Sequence, residues 1–433
     1  MDLSNNKTEE ILSDLESSPL FILSLGSKEL FHSNFLYWLI NAGVLGKKKD
    51  GKEITGRELF CELIKEVSGI NLIPNEKWIA RREKMNFDLS LWTVKTDDNG
   101  NIIYTDKGLE EESKCLLVIE NKMKSVPYVK QIVKYIHKFK EDETPRFILL
   151  TLMENFPDRK KIEEPTPEQL KEWKIKELDC KIVSYRELVK KLKANCEDIQ
   201  FSESYFKDLI SDYIKFVDIL SQLDNTSNES ENISMMLNLD HDFNHGFEKL
   251  RILQLVQAIR VGVLYTLISK EFEKKKEKYK DIKFHTGYGR NGGQFLEVAY
   301  VPNVTGRDEE TGKEIEGEEP THYSLGIQVQ GHQYAHFICP LSDSQKKPAT
   351  AQKFKGHFAD SNSEFQVLMK KRNFKTISCR KNLPFRSFGG FSFQAVAIPE
   401  DATYGFIVSQ IMEDLNALID NFKESDLKIG KEI

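Results

Sequence analysis

The segment Leu116–Tyr135, LLVIENKMKSVPYVKQIVKY, constrains the fold of this chain more than any other. The run Cys115–Ile119 is continuously apolar, a pattern typical of a strand buried on both faces. It breaks off at Glu120-Asn121-Lys122, and Tyr128–Lys140 returns to helical period through Val129, Ile132, Val133, Ile136 and Phe139. A doubly covered strand that leads at once into an amphipathic helix belongs inside a layered sheet. The flanking sequence agrees. Glu29–Ala42 and Arg57–Val67 have helical spacing, and Asn86–Trp92 alternates Phe87, Leu89 and Leu91 against Asp88, Ser90 and Trp92, the period of a strand. Phe147–Met153 and Lys181–Tyr185 read as further strands, with a helix over Tyr205–Leu220. Helices lead and strands then alternate with helices, which predicts an α/β fold with a mixed central sheet flanked by helices on both faces.

With 433 residues and roughly 100 to 200 residues per domain, there is room for more than this one core. The polar stretch Ser221–Ser234, SQLDNTSNESENIS, reads as a linker. All four Trp precede it, whereas only 8 of the 24 Gly do, so the two halves are built differently. We expect one domain over 1–222 and a second, α+β, over 235–433. The second half predicts a long helix over Phe247–Tyr279, strands at Gln294–Val301, Tyr323–Val329 and Gly390–Ile398, and helices at Glu364–Arg372 and Tyr404–Phe422. Its acidic segment Thr305–Pro320 reads as a solvated loop or hairpin. Such a domain suits recognition, sensing or assembly.

Apolar runs are far shorter than the roughly 20 residues that span a bilayer, and Met1–Glu16 is broken by charges throughout. A cytoplasmic protein without a membrane partner is expected. The six Cys include no C-x-x-C pair, which argues against a disulfide framework and a cysteine zinc site.

Side chains alternate faces along a strand, so Glu120 and Lys122 should project together at the end of the buried run. If the Asp88 strand pairs with theirs, its carboxylate can approach Glu120 as a second metal ligand. Two carboxylates suit Mg²⁺, which keeps several waters and binds through few carboxylates plus substrate phosphate. The metal would polarise a scissile phosphate and activate the attacking water, and Lys122 would orient that water or offset charge in the transition state. An E-x-K triplet alone also arises by chance as a solvated ion pair. Here it ends an apolar strand, follows an Asp-bearing strand, and precedes a helix with Gln131 and Tyr135 on one face. Between Asn121 and Lys140 there are six Lys (Lys122, Lys124, Lys130, Lys134, Lys138 and Lys140), one His (His137) and no acidic residue, in a chain of net charge −6. Phosphate is a natural partner for such a patch, although a solvated lysine face would look the same.

D-(n)-E-x-K followed by a helical Q-x-x-x-Y resembles the PD-(D/E)xK nuclease superfamily, and the Q-x-x-x-Y resembles its RecB-like members. The helix ELFHSNFLYWL, Glu29–Leu39, is similar to the leading helix of a bacterial group that reads "E..HS..L.WL... D... ENK... Q...Y". The resemblance covers about residues 10 to 220. It implies a restriction-endonuclease-like core with a mixed four-stranded sheet, and Glu29, Asp88, Glu120 and Lys122 as the catalytic set, Glu29 joining Asp88 and Glu120 in the metal shell. Gln131 and Tyr135 would support the site or contact nucleic acid, with Lys124, Lys130, Lys134 and Lys138 as further contacts. His32 would support the leading helix or line the metal pocket. The pattern departs from the family's in having Asn86-Phe87 where a Pro would precede Asp88, and Thr93–Lys114 would form an extended hairpin between the two catalytic strands.

The implied function is Mg²⁺-dependent hydrolysis of nucleic acid, by an endonuclease or exonuclease for which Mn²⁺ can substitute. DNA is preferred over RNA because most superfamily members act on DNA. The resemblance also implies a link to phage defence and leaves room for a homo-oligomer or a defence-system partner. The alternative is a catalytically silent nucleic-acid or protein-binding module that keeps the fold.

Other patterns are weaker. His241-x-x-x-His245 and His332-x-x-x-His336 have the spacing of two zinc ligands but lack the Glu of H-E-x-x-H, and polar surface histidines are the simpler reading. Gly287–Gly293 is glycine-rich but lacks the Lys-Ser/Thr of a phosphate loop. His32-Ser33 has no third member for a serine hydrolase.

Overall fold

The computed structural model describes residues 3–18, 20, 29–97, 101–105, 111–223, 248–250, 252–288, 294–300, 323–331, 333–340, 386–388, 391–399 and 402–421. The chain divides into two compact units, Met1–Ser227 with Asp242–Ile259, and Asn228–His241 with Arg260–Ile433. The stretch Asp242–Ile259 thus groups with the first unit, although composition assigns it to the second half.

The first unit opens with helices α1 (Leu3–Ser17) and α2 (Glu29–Asn41), short strands β1 (Val44–Lys48) and β2 (Glu53–Thr55), and helix α3 (Gly56–Ser68). Strands β3 (Trp78–Arg82), β4 (Leu89–Val94) and β5 (Glu112–Lys122) follow, then α4 (Val129–Ile136) and β6 (Arg146–Thr151). Two short helices, α5 (Arg159–Glu163) and α6 (Pro167–Trp173), lead to β7 (Cys180–Ser184), α7 (Tyr185–Cys196), β8 (Ile199–Phe201) and α8 (Ser204–Ser221).

The main sheet has five strands in the order β3-β4-β5-β6-β7. The β3–β4 and β4–β5 pairs are antiparallel, and the β5–β6 and β6–β7 pairs are parallel. It is therefore the expected mixed sheet, with one strand more than the implied four. β5 is the switch between the two modes, which explains its apolar run: Leu117, Val118 and Ile119 are all buried. The register pairs Leu89 with Ile119, which brings Asp88, just before β4, beside Glu120. A second, antiparallel sheet runs β2-β1-β8.

Local signals set the helix limits. α3 starts in a capping box between Thr55 and Glu58 and stops at Gly69, whose φ of 73° suits a residue without a Cβ. Gly56 has a packing reason, because a Cβ there would lie 2.0 Å from the Leu39 carbonyl oxygen of α2. α4 ends at Ile136, short of the expected Lys140. The next residues tighten into turn bonds, Lys138 N–H to Tyr135 O and Phe139 N–H to Ile136 O. These fold Phe139 onto Phe87 in a stacked pair. Of the expected hairpin over Thr93–Lys114, the described part shows Thr96 bridged to Ile102 and Lys95 N–H bonded to Glu111 O.

The second unit is α+β. It contains most of helix α9 (Leu253–Lys274), strands β9 (Ile282–Tyr288), β10 (Gln294–Tyr300), β11 (Tyr323–Gln330), β12 (Gln333–Pro340), β13 (Arg386–Phe388) and β14 (Phe391–Ala397), and helix α10 (Tyr404–Asn421). One antiparallel sheet runs β13-β14-β12-β11-β10-β9. The long helix is shorter than the expected 247–279, and β9, β12 and β13 are additions to the expected strands. Gly287 belongs to β9, so the glycine-rich motif begins inside a strand. The predicted helix Glu364–Arg372 and loop Thr305–Pro320 lie outside the described residues. No helix among the described residues is long and apolar enough to cross a membrane.

Candidate active site

The C-terminal end of β5 places Glu120 and Lys122 on one face, as strand alternation requires. Lys122 Nζ lies 2.7 Å from Glu120 Oε1, and both residues are buried, at 7% and 3% exposure. Asp88 Oδ2 accepts the Asn121 backbone N–H at 2.7 Å. Glu29, the first residue of α2, accepts the Met123 N–H and the Ser125 hydroxyl on Oε1, each at 3.2 Å. Gln131 on α4 donates Nε2 to Glu120 Oε1 at 2.5 Å and to Tyr135 Oη at 2.8 Å. Glu29, Asp88, Glu120, Lys122, Gln131 and Tyr135 therefore meet at one end of the sheet, although they come from four separate stretches of sequence.

The electrostatics of the cluster is dominated by burial and by an excess of carboxylates. Burial, then repulsion by Glu120, pushes the Asp88 carboxyl up to about 7; Glu29 adds to the rise, and the Asn121 N–H and Lys122 oppose it. Glu120 is likewise raised by burial and by Glu29, against the pull of the Lys122 charge. Burial works against the Lys122 ammonium, but Glu120, Glu29 and Asp88 outweigh it and hold its pKa above the usual lysine value. Tyr135 is pushed up to about 12 by burial and by the Glu120 charge.

Three carboxylates around one ammonium leave a net negative pocket, and Glu120 Oε2 is buried with no hydrogen-bond partner. A hard cation fits that donor chemistry: it would offset the carboxylate excess that raises Asp88 and Glu120, and it would satisfy the orphaned oxygen. Among the described residues no three His, Cys, Asp or Glu side chains already stand as a metal cage. A two-carboxylate Mg²⁺ site does not require one.

The remaining predicted residues separate into different environments. Lys130 and Lys134 are exposed on α4, whereas Lys124 is half-buried just after β5. Lys138 departs from the face it was expected to share with them. It lies beyond the end of α4, donates to the Met85 carbonyl, and sits over the rings of Phe87 and Tyr135 at 4.8 and 4.7 Å. His32 is fully buried in an aromatic cluster, with Nδ1 3.1 Å from Tyr213 Oη and its ring stacked on Phe216. Burial lowers its pKa to about 3, so it is a neutral core residue. His336 belongs to a buried strand, 2.6 Å from Asp414 Oδ2, which also accepts the Tyr334 hydroxyl. It is therefore not the surface histidine expected from its spacing. His241, His245 and His332 lie outside the described residues.

Sequence reasoning did not identify Asn121, Ser33, Ser125 or Tyr185. A signal for Asn121 was present: a polar residue between two same-face residues at the end of a buried strand must point into the opposite layer and find partners there.

A mixed five-stranded sheet flanked by helices, with Asp88, Glu120 and Lys122 gathered at its central strands, is a nuclease-type core. The family model of the PD-(D/E)XK nuclease superfamily matches residues 19–215, so this stretch of the chain is similar to that superfamily. Nucleic acid is the substrate of such nucleases, which generally use divalent metal ions. No curated protein and no solved structure matches the chain significantly.

Proposed function

We propose that this protein is a metal-dependent nuclease that hydrolyses phosphodiester bonds, of DNA in preference to RNA, with Mg²⁺ as its ion and Mn²⁺ able to substitute. The observation that carries this reading is the meeting of Glu29, Asp88, Glu120 and Lys122 at the end of β5, with a Glu120 oxygen left buried and unbonded. Asp88 and Glu120, with Glu29 beside them, would hold the ion. When bound it polarises the scissile phosphate and lowers the pKa of the attacking water. Lys122 stays charged through the neutral range and is placed to orient the water or to offset the charge that develops on the phosphate. Gln131 saturates Glu120 Oε1 and so leaves Oε2 as the oxygen available for coordination. Lys130 and Lys134 present cations that can follow a phosphate backbone.

The DNA preference rests on the habit of the superfamily. The same resemblance supplies phage defence as a setting, testable by whether the wild type and not Glu120→Ala protects a host culture. In this reading residues 1–222 carry the chemistry, and 235–433 serve recognition, sensing or assembly.

The deciding experiment incubates the full chain with plasmid, linear duplex and single-stranded DNA and with RNA, with Mg²⁺ or with a chelator. Cleavage that requires Mg²⁺ and is fastest on DNA is expected. Retention of nucleic acid without product under every condition would make the protein a silent binding module, and faster cutting of RNA would reverse the substrate preference.

A further inference from the structure

Asn121 lies between Glu120 and Lys122 in β5, and strand alternation turns its side chain to the face opposite theirs. That side chain is completely buried. Its Nδ2 donates to Ser33 Oγ of α2 at 2.6 Å, and its Oδ1 accepts the Tyr185 hydroxyl of α7 at 3.0 Å. Ser33 Oγ donates onward to the Glu29 backbone carbonyl at 3.3 Å. Meanwhile the backbone N–H of the same Asn121 holds Asp88 Oδ2. One residue thus ties α2, α7 and the segment before β4 together. The three carboxylates of the site depend on that tie: Glu29 one turn before Ser33, Asp88 through the N–H, and Glu120 as the covalent neighbour.

We propose that Asn121, clamped by Ser33 and Tyr185, is a positioning residue that fixes the spacing of the Glu29, Asp88 and Glu120 carboxylates for a divalent cation. The inference rests on the metal-dependent reading above. Its physical basis is that buried, mutually repelling carboxylates relax apart unless something directional restrains them. Apolar packing fills space without fixing direction, whereas a buried amide bonded at both ends is held in place by directional contacts. Ser33 and Tyr185 are themselves completely buried. The Tyr185 ring is held in turn by the neutral His32, 4.7 Å away between ring centres. The His32-Ser33 pair therefore supports the site from behind, one member through an aromatic ring and the other through a hydroxyl.

The test compares full-length wild type with Tyr185→Phe, Ser33→Ala and Ser33→Thr. Mn²⁺ affinity is read by calorimetry, kcat and KM by cleavage, and exchange of the Asn121 amide in metal-free protein by hydrogen–deuterium exchange. Tyr185→Phe and Ser33→Ala should each weaken Mn²⁺ binding by about tenfold or more and lower kcat with KM for nucleic acid unchanged. Their Asn121 amide should exchange at least about tenfold faster than in wild type. Ser33→Thr, which keeps the hydroxyl, should stay close to wild type. Should Ser33→Ala fail to fold, Tyr185→Phe, which removes a single oxygen, decides alone. Variants that lose only melting temperature, with Mn²⁺ affinity and kcat at wild-type values, would overturn the positioning role and leave the nuclease reading intact. A wild type that neither takes up Mn²⁺ nor cuts any polymer would instead reject the nuclease reading and this inference with it.

Discussion

Lys122 Nζ and Gln131 Nε2 converge on the same oxygen of Glu120, Oε1, at 2.7 and 2.5 Å, while Oε2 of that carboxylate is buried without a partner. One side of Glu120 is saturated and the other is kept bare at the cost of desolvation. This asymmetry suits a metal ligand better than a structural ion pair, which gains from satisfying both oxygens.

Replacing Lys122 by Met keeps the volume and removes the charge. Cleavage should fall by a factor on the order of 10² or more. The variant should also melt at a lower temperature than wild type, because it leaves the buried Glu120 without its cation. Activity assays beside thermal melts read both effects, and a fully active Lys122→Met would remove this residue from the chemistry.

The raised carboxyl pKa values set a pH dependence of definite sign. A carboxyl whose folded pKa lies above its ordinary value contributes stability that is complete below the ordinary value and is lost as pH rises through the folded one. For Asp88 that window runs from the usual 3.8 to about 7, and Glu120 is shifted in the same direction. Metal-free protein should therefore lose stability between pH 4 and pH 8, by on the order of a few kcal/mol. Lys122 contributes no change there, since its raised pKa alters stability only above the usual 10.5. Asp88→Asn should flatten the dependence and raise the melting temperature at pH 8, while abolishing cleavage. Mn²⁺ binding should tighten with rising pH and release protons, which calorimetry in buffers of different ionisation enthalpy would detect. An Asp88→Asn protein with the wild-type pH profile would contradict the assignment.

Phosphate contact should depend on Lys130 and Lys134 but not equally on Lys138. Changing the first two to Ala should weaken nucleic-acid binding and reduce the slope of log affinity against log salt by roughly 2. Lys138→Ala should chiefly lower the melting temperature, since that ammonium sits over Phe87 and Tyr135. An unchanged salt slope in Lys130→Ala/Lys134→Ala would return this helix face to plain solvent.

The main strands of the core were legible because their signals are local. Cys115–Ile119 showed a doubly buried strand, and the alternation around Asp88 showed its neighbour. The edge strand β3 was not legible: Trp78–Arg82 buries only Trp78 and Ala80 and ends in two arginines. α7 was missed despite Ser184, which caps its first turn by accepting the Glu187 N–H, a start signal of the S-x-x-E kind. The site's ionisable residues could be identified from motif and spacing. The Ser33–Asn121–Tyr185 clamp could not, because it joins positions up to 152 residues apart (185 − 33) and only tertiary packing brings them together. The departure of Lys138 from the lysine face has the same origin, since four-residue spacing assumed a helix that in fact ends at Ile136.

The most direct test of the central claim is the rate of nucleic-acid cleavage by wild type and by Glu120→Gln as Mg²⁺ is titrated from none into the millimolar range. Wild type should give no product without the ion and a saturable rise as it is added, with a Glu120→Gln rate at least about 10²-fold lower throughout. Wild-type cleavage that persists in excess chelator, or Glu120→Gln cutting at the wild-type rate, would contradict that claim.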